Sequence, residues 1–164
     1  MVLHRNILKR VSRIADIKNI PAWMEKQVQD LLHKVTRWAE AQPEILGLAL
    51  VGSQARNEAQ ADSDIDFILL ATEPHKFIDD SKWLKNFGSV KSHTLEDWGL
   101  VTSLRVFYHE GLEVEYGLTS REWASEPIDE GTRRVILNGM QILLDKTGLL
   151  TGALRAVRGH GYIE

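Results

Sequence analysis

The chain of 164 residues contains no cysteine. That absence excludes a disulfide framework, a thiolate zinc site and a cysteine nucleophile together, and it suits a reducing cytoplasm. No apolar run approaches the roughly 18 residues of a membrane-spanning helix, and the opening Met1–Asn6 lacks the apolar centre of a secretion signal. A cytoplasmic protein with no membrane partner is therefore expected. An excess of one charge is also missing: 20 Lys plus Arg stand against 23 Asp plus Glu, a net −3, which argues against a general nucleic-acid binder. The six histidines never recur at the i,i+4 spacing that would put two on one helix face as metal ligands. With 43% apolar and 26% charged residues, disordered, collagen-like and coiled-coil classes are excluded as well. The sequence has no internal repeat, low-complexity tract or linker, and its length suits one domain over residues 1–164, since domains run on the order of 150 residues.

What is present is a helical start followed by a change of texture. Leu3, Ile7, Leu8, Val11 and Ile14 fall on one side of a helix whose other side carries Arg5, Lys9, Arg10 and Arg13, giving an N-terminal helical extension over 1–20. Pro21 suits the first turn of a second helix, in which Val28, Leu31, Leu32, Val35, Trp38 and Ala39 form a core stripe until Gln42-Pro43. Ile45 to Val51 and Ile65 to Ala71 are short, partly β-branched apolar runs and read as buried strands. A helix is expected from Pro74 through Phe87. Leu100 to Tyr108 and Leu112 to Leu118 read as strands joined by a hairpin turn at His109-Glu110-Gly111, and Gln141 to Leu144 as a last strand. Residues 155–164 read as a short tail.

The chemistry concentrates between residues 47 and 66. Asp64 and Asp66, two apart on a strand, share a face, while Ile65 and Phe67 point to the buried side. Adjacent carboxylates repel unless a cation lies between them, and hard oxygen ligands on a rigid strand suit Mg²⁺ completed by water and substrate phosphate. Upstream, Gly52-Ser53 follows a buried strand directly. Glycine there lets backbone approach a phosphate, Ser53 can donate through hydroxyl and amide, and Arg56 can add a positive charge.

Gly52-Ser53-x-Ala55-Arg56 followed by Ser63-Asp64-Ile65-Asp66-Phe67 resembles the signature of the DNA polymerase β-like nucleotidyltransferase superfamily, in its small bacterial branch of aminoglycoside adenylyltransferases and minimal nucleotidyltransferases. The resemblance covers residues 25 to 118 well; Asn57 departs from it, standing where relatives usually carry glycine. It implies an α/β (α+β) nucleotidyltransferase fold, a mixed β-sheet flanked by helices. It also implies two Mg²⁺ ions and transfer of a nucleoside monophosphate, AMP from ATP, with release of pyrophosphate.

Members of that superfamily complete the metal site with a third carboxylate from a later strand. Glu115, between Val114 and Tyr116 after the turn glycine Gly111, matches best, and Glu113 lies on the same face by strand alternation, so both stay open. Asp64, Asp66 and Glu115 are thus the candidate catalytic and metal-binding residues, and Gly52, Ser53 and Arg56 the candidate nucleotide-binding ones. The acceptor is the open term. The chain leaves little length for the helical acceptor domain of drug-modifying relatives, so a small cleft, a second subunit of a homodimer or a partner protein would have to bind the second substrate. Trp83, Trp98 and Trp123 are candidates to line such a cleft or to belong to the core. A small-molecule hydroxyl is the leading acceptor, a partner protein the alternative, and a non-catalytic nucleotide-binding module the reading of another class.

Overall fold

The computed structural model describes residues 22–56 and 64–159. The expected 1–20 helix, the departure at Asn57 and the last five residues lie outside them. A long helix, α1 (Ala22–Ala41), buries Val28, Leu31, Leu32, Val35 and Ala39, the stripe read from the sequence. Pro43 stops it, and its terminal carbonyls are met by the Lys146 ammonium, which donates to Ala39 O at 3.1 Å and Gln42 O at 2.8 Å.

Six strands follow: β1 (Ile45–Val51), β2 (Ile65–Ala71), β3 (Val90–Asp97), β4 (Thr102–Tyr108), β5 (Glu113–Thr119) and β6 (Met140–Asp145). They form one mixed sheet in the order β3-β4-β5-β2-β1-β6, in which β2 and β5 run parallel and all other neighbours antiparallel. Between them lie α2 (Gly52–Ala55), α3 (His75–Asp79), 3₁₀ turns at Lys82–Phe87 and Arg121–Ala124, α4 (Glu130–Asn138) and, last, α5 (Leu149–Arg158).

Alternation along the strands sorts side chains into two layers. Ile65, Phe67, Leu69, Leu104, Val106, Val114, Tyr116 and Leu118 face α1 and the Lys82–Phe87 turn in one core. On the opposite face, Ala49, Val51, Ile68 and Leu70 meet Trp123, Ile136, Leu150 and Ala153 in a second, smaller core. That second layer covers only the β2-β1-β6 half. Over β5 and β4 the same face carries Ser103, Arg105, Phe107, Glu113 and Glu115 instead of an apolar layer. Among the described residues, no helix is long and apolar enough to cross a membrane.

Three expectations are corrected. The helix expected over 74–87 is broken, because Asp80 turns extended and its carboxylate accepts from the Lys82 amide at 3.2 Å. The break lets Trp83 stack on Trp38 with ring centres 4.9 Å apart. The strand expected from Leu100 begins at Thr102; Trp98 to Val101 make a tight turn through Gly99, closed by Trp98 N donating to Val101 O at 2.8 Å. Arg155–Arg158, expected within a tail, complete α5. Strand β3 and helix α4 were not expected. The first is an exposed edge strand with no apolar alternation, and the second has just Thr132 and Ile136 buried.

Candidate active site

The three acids are assembled by the one parallel strand pair. Asp66 on β2 is in register with Glu115 on β5, so with Phe67 and Tyr116 turned into the core both carboxylates emerge on the other face, joined by Asp64 just before β2. Each of the three offers a carboxylate oxygen, and these oxygens all lie within 4.8 Å of one another. Asp66 is the innermost. Burial, the adjacent Asp64 charge and hydrogen bonding with Glu115 push its carboxyl up to about 8, and its Oδ1 is buried without a hydrogen-bond partner. Between the two glutamates left open by the sequence, the geometry brings Glu115 into the cluster. Glu113 is engaged elsewhere, accepting from Arg105 Nη1 at 2.7 Å.

The Gly52 turn abuts this cluster. β1 delivers the chain to Gly52, whose φ of +73° belongs to the left-handed region, and a Cβ there would collide with Asp66 Oδ2. Only glycine allows backbone to lie this close to the carboxylate. The expected helix beyond it is one short turn, α2, held to β6 by Gln141 Nε2 donating to Ala55 O at 2.7 Å. Ser53 is half-buried on that turn. The side chain of Arg56 lies over Gly139, where a Cβ would stand 2.9 Å from Arg56 Cγ, and its Nη1 donates to Asn138 O at 3.4 Å.

A cavity of about 430 Å³ runs from these groups across the sheet. Gly52, Arg56, Asp66 and Glu115 line one end, Ser103 and Ile68 its floor, and Thr132, Val135 and Asn138, spaced by three along α4, one wall. Trp98 and Trp123 complete it. Trp98 is 63% exposed at the β3–β4 turn while Trp123 is 2% exposed, so the cavity has one exposed and one buried aromatic wall. Trp83 belongs instead to the opposite core, its indole N–H donating to Phe77 O at 2.7 Å. The mainly apolar surface with acids at one end and Ser103, Thr132 and Asn138 along its length, and a volume within the roughly 300–1,000 Å³ of small-molecule sites, fit a nucleotide- or acceptor-sized ligand.

Arg105 is the residue that sequence reasoning missed. On β4, directly across from Glu115, it donates from Nη1 to Asp64 Oδ2 at 2.9 Å and from Nε to Glu96 Oε1 at 2.7 Å, and its Nη2 stands 3.6 Å from Glu115 Oε2. The Glu96 hydrogen bond leads the causes that raise its pKa further, while the same bond lowers that of Glu96. A signal existed: counting back from the His109-Glu110-Gly111 turn pairs Arg105 with Glu115. Helix α4, with no strong periodicity, gave none.

With that geometry in hand, comparison with known proteins is informative at one level. No curated protein sequence matches the chain. Solved structures similar to parts of it include an aminoglycoside 6-adenyltransferase from Bacillus subtilis, at 17% identity over 58% of this chain and 34% of that one, with a TM-score of 0.44. The Cid1 poly(U) polymerase is similar at 14% identity over 80% of this chain and 39% of that one, TM-score 0.47. A GLD-2/RNP-8 complex is similar at 18% identity over 83% of this chain and 42% of that one, TM-score 0.43. The chain thus spans less than half the length of each. The sequence profile of streptomycin adenylyltransferase, by contrast, matches residues 25–163, from the first turn of α1 past the end of α5. A match along most of the chain, over the strands that carry the three acids and the Gly52 turn, establishes that the chain belongs to the streptomycin adenylyltransferase family.

Proposed function

We propose that the protein transfers a nucleoside monophosphate, AMP from ATP, to a hydroxyl of a small-molecule acceptor and releases pyrophosphate. The observation that carries this reading is the convergence of Asp64, Asp66 and Glu115 within 4.8 Å at the end of a ligand-sized cavity, with the Gly52 turn against Asp66. Streptomycin gives the family its name, and a small hydroxyl-bearing acceptor of that kind is the one we favour.

The residues fit a divalent cation. Their donors are hard carboxylate oxygens, one of which, Asp66 Oδ1, is buried without a partner, and the repulsion among three acids this close is only partly met by Arg105, which faces Asp64 and Glu115. Asp64, Asp66 and Glu115 would hold Mg²⁺, two ions in our reading, which when bound supplies polarisation of the acceptor hydroxyl and neutralisation of triphosphate charge. The chain's own groups do the rest. Gly52 keeps the backbone clear of a Cβ so that phosphate oxygens can reach the turn, Ser53 offers an amide and a hydroxyl, and Arg56 a guanidinium at the cavity's edge. The slot between α4 and Trp98 orients a bound substrate and excludes water from one side of the acids.

The bond changes are those of an in-line displacement. The acceptor oxygen bonds to the α-phosphorus, the bond from that phosphorus to the bridging oxygen of the β-phosphate breaks, and the hydroxyl proton passes to a carboxylate, for which Glu115 is our choice. The test is incubation with α-labelled ATP, Mg²⁺ and a panel of aminocyclitol and other polyhydroxy acceptors, repeated with Asp66→Asn. Labelled acceptor plus pyrophosphate from the unsubstituted protein alone is the expected result. Full transfer by the variant would remove Asp66 from the site, and release of ADP and phosphate would refute the reaction class.

A further inference from the structure

Arg105 holds a position that neither the proposed reaction nor the fold requires. Ion pairs can close the β3–β4–β5 face without reaching the catalytic acids, and the bonds to Glu96 and Glu113 would suffice. Yet Nη1 also takes Asp64 at 2.9 Å, and Nη2 lies 3.6 Å from Glu115. Two of the three carboxylates that would hold a cation therefore already face a fixed positive charge, while Asp66 Oδ1 is buried without a partner. The guanidinium stays charged at any working pH, so proton loss cannot relieve this competition. Only added negative charge, or a shift of Arg105 away from Asp64, can. The side chain is built for that shift. Its Nε bond to Glu96 at 2.7 Å and its Nη1 bond to Glu113 at 2.7 Å hold it independently of Asp64, so letting go of Asp64 sacrifices one hydrogen bond of several.

We propose that Arg105 is a resident counter-ion that makes cation binding conditional on nucleotide: it occupies Asp64 until a triphosphate brings the negative charge that lets a divalent cation displace it. Arg105 is in this sense a positioning residue, acting through Asp64 and Glu115. The consequence is an order of binding. Free Mg²⁺ binds the empty site weakly and the cation enters with, or after, the nucleotide, so the acids are not loaded without substrate. The inference rests on the reading of Asp64, Asp66 and Glu115 as the cation ligands.

The test measures Mn²⁺ binding directly, by the loss of the free-ion paramagnetic resonance signal, without and with a non-hydrolysable α,β-methylene ATP analogue. Without analogue, Arg105→Gln should bind Mn²⁺ about tenfold or more tighter than the unsubstituted protein, because a unit charge beside the ligands is gone, whereas Arg105→Lys should stay within about threefold. With analogue, the unsubstituted protein and Arg105→Gln should converge. No gain in Arg105→Gln without analogue, while Mn²⁺ binds normally with it, overturns the role of Arg105 and leaves the proposed reaction standing. Absence of Mn²⁺ binding by the unsubstituted protein even with analogue overturns the cation reading itself. Should Arg105→Gln lose its cooperative melt, the unsubstituted protein decides. Its Arg105 Nη–H resonances should stay in place on adding Mg²⁺ alone and move on adding Mg²⁺ with analogue, and movement with Mg²⁺ alone refutes the proposal.

Discussion

Replacing Asp66 by asparagine should abolish nucleotide transfer and yet stabilise the cation-free protein. The carboxyl is pushed from its ordinary 3.8 up to about 8, chiefly by burial and then by the Asp64 charge and the Glu115 hydrogen bond. At pH 7 folding therefore takes up a proton that the unfolded chain has released. At about 1.36 kcal/mol per pH unit, the interval from 3.8 to 7 sets a ceiling of roughly 4 kcal/mol. Asp66 retains some exposure and shares its field with two other acids and Arg105, so we take about half, roughly 2 kcal/mol. Asparagine has the same shape, needs no proton, and can donate to Glu115. For a chain of this length the gain corresponds to a rise of about 4–8 °C in Tm. The sign fixes the pH dependence. A carboxyl whose pKa is raised on folding costs nothing below about pH 4 and progressively more up to about pH 8, so the advantage of asparagine should be absent at the acid end and full at the alkaline end. Thermal melts followed by circular dichroism in the presence of a chelator, across that range, measure it. Equal melting of the two proteins at pH 7, or a gain that persists unchanged at pH 4, would refute the reasoning that Asp66 is destabilised by its neighbours.

Gly52→Ala forces a left-handed backbone on an L side chain and a Cβ against Asp66 Oδ2, so transfer should fall by about a hundredfold while stability drops by only about 1–3 kcal/mol; an active variant would mean that the turn is free to move. Trp98→Ala removes a 63% exposed ring from the cavity edge, so stability to urea should hold within the about 0.5 kcal/mol typical of surface changes while KM for one substrate rises about two- to tenfold; unchanged KM values for both would exclude Trp98 from the site. Trp83→Ala should do the reverse. Its ring stacks on Trp38 and meets Tyr116 edge-on at 5.1 Å, so urea denaturation should show a loss of about 3–5 kcal/mol with KM values of the folded protein unaltered.

How far the sequence carried the structure depended on whether a residue's surroundings are local. The stripe of α1 and the runs of β1 and β2 are legible because burial of one helix face or of a whole strand writes itself into neighbouring positions. Asp64, Asp66 and Gly52 were legible as a motif, since a turn glycine and alternating carboxylates each have one plain chemical reason to be there, whereas the third acid came from the resemblance and stayed open between Glu113 and Glu115 until strand register brought Glu115 to Asp66. Strand β3 was not. Its residues Lys91, Ser92, His93 and Thr94 are exposed and carry no alternation, and it is a strand because β4 offers it an edge to pair with. Helix α4 escaped for a similar reason, being started by the Asp129 carboxylate, which accepts from Gly131 N at 2.9 Å and Thr132 N at 3.4 Å, more than by a hydrophobic face. The break at Asp80 was hidden because it depends on Trp38, far back in the chain. Arg105 was readable from hairpin register, yet that register matters only once β5 is known to pair with β2 as well.

That last pairing has a consequence for how the molecule comes together. The β4–β5 hairpin can close from its own turn, and β1 with β2 needs only a short return, but a parallel pair has no turn from which to zip. β2 and β5 meet only when two separately formed pieces dock, and Asp66 and Glu115 lie on either side of that seam. Any ion shared by the two carboxylates is therefore a rivet between the pieces. An ion that binds only the docked pieces holds them together by an amount set by its concentration relative to its dissociation constant, so filling the site raises the resistance of the whole seam to opening, far beyond the acids themselves.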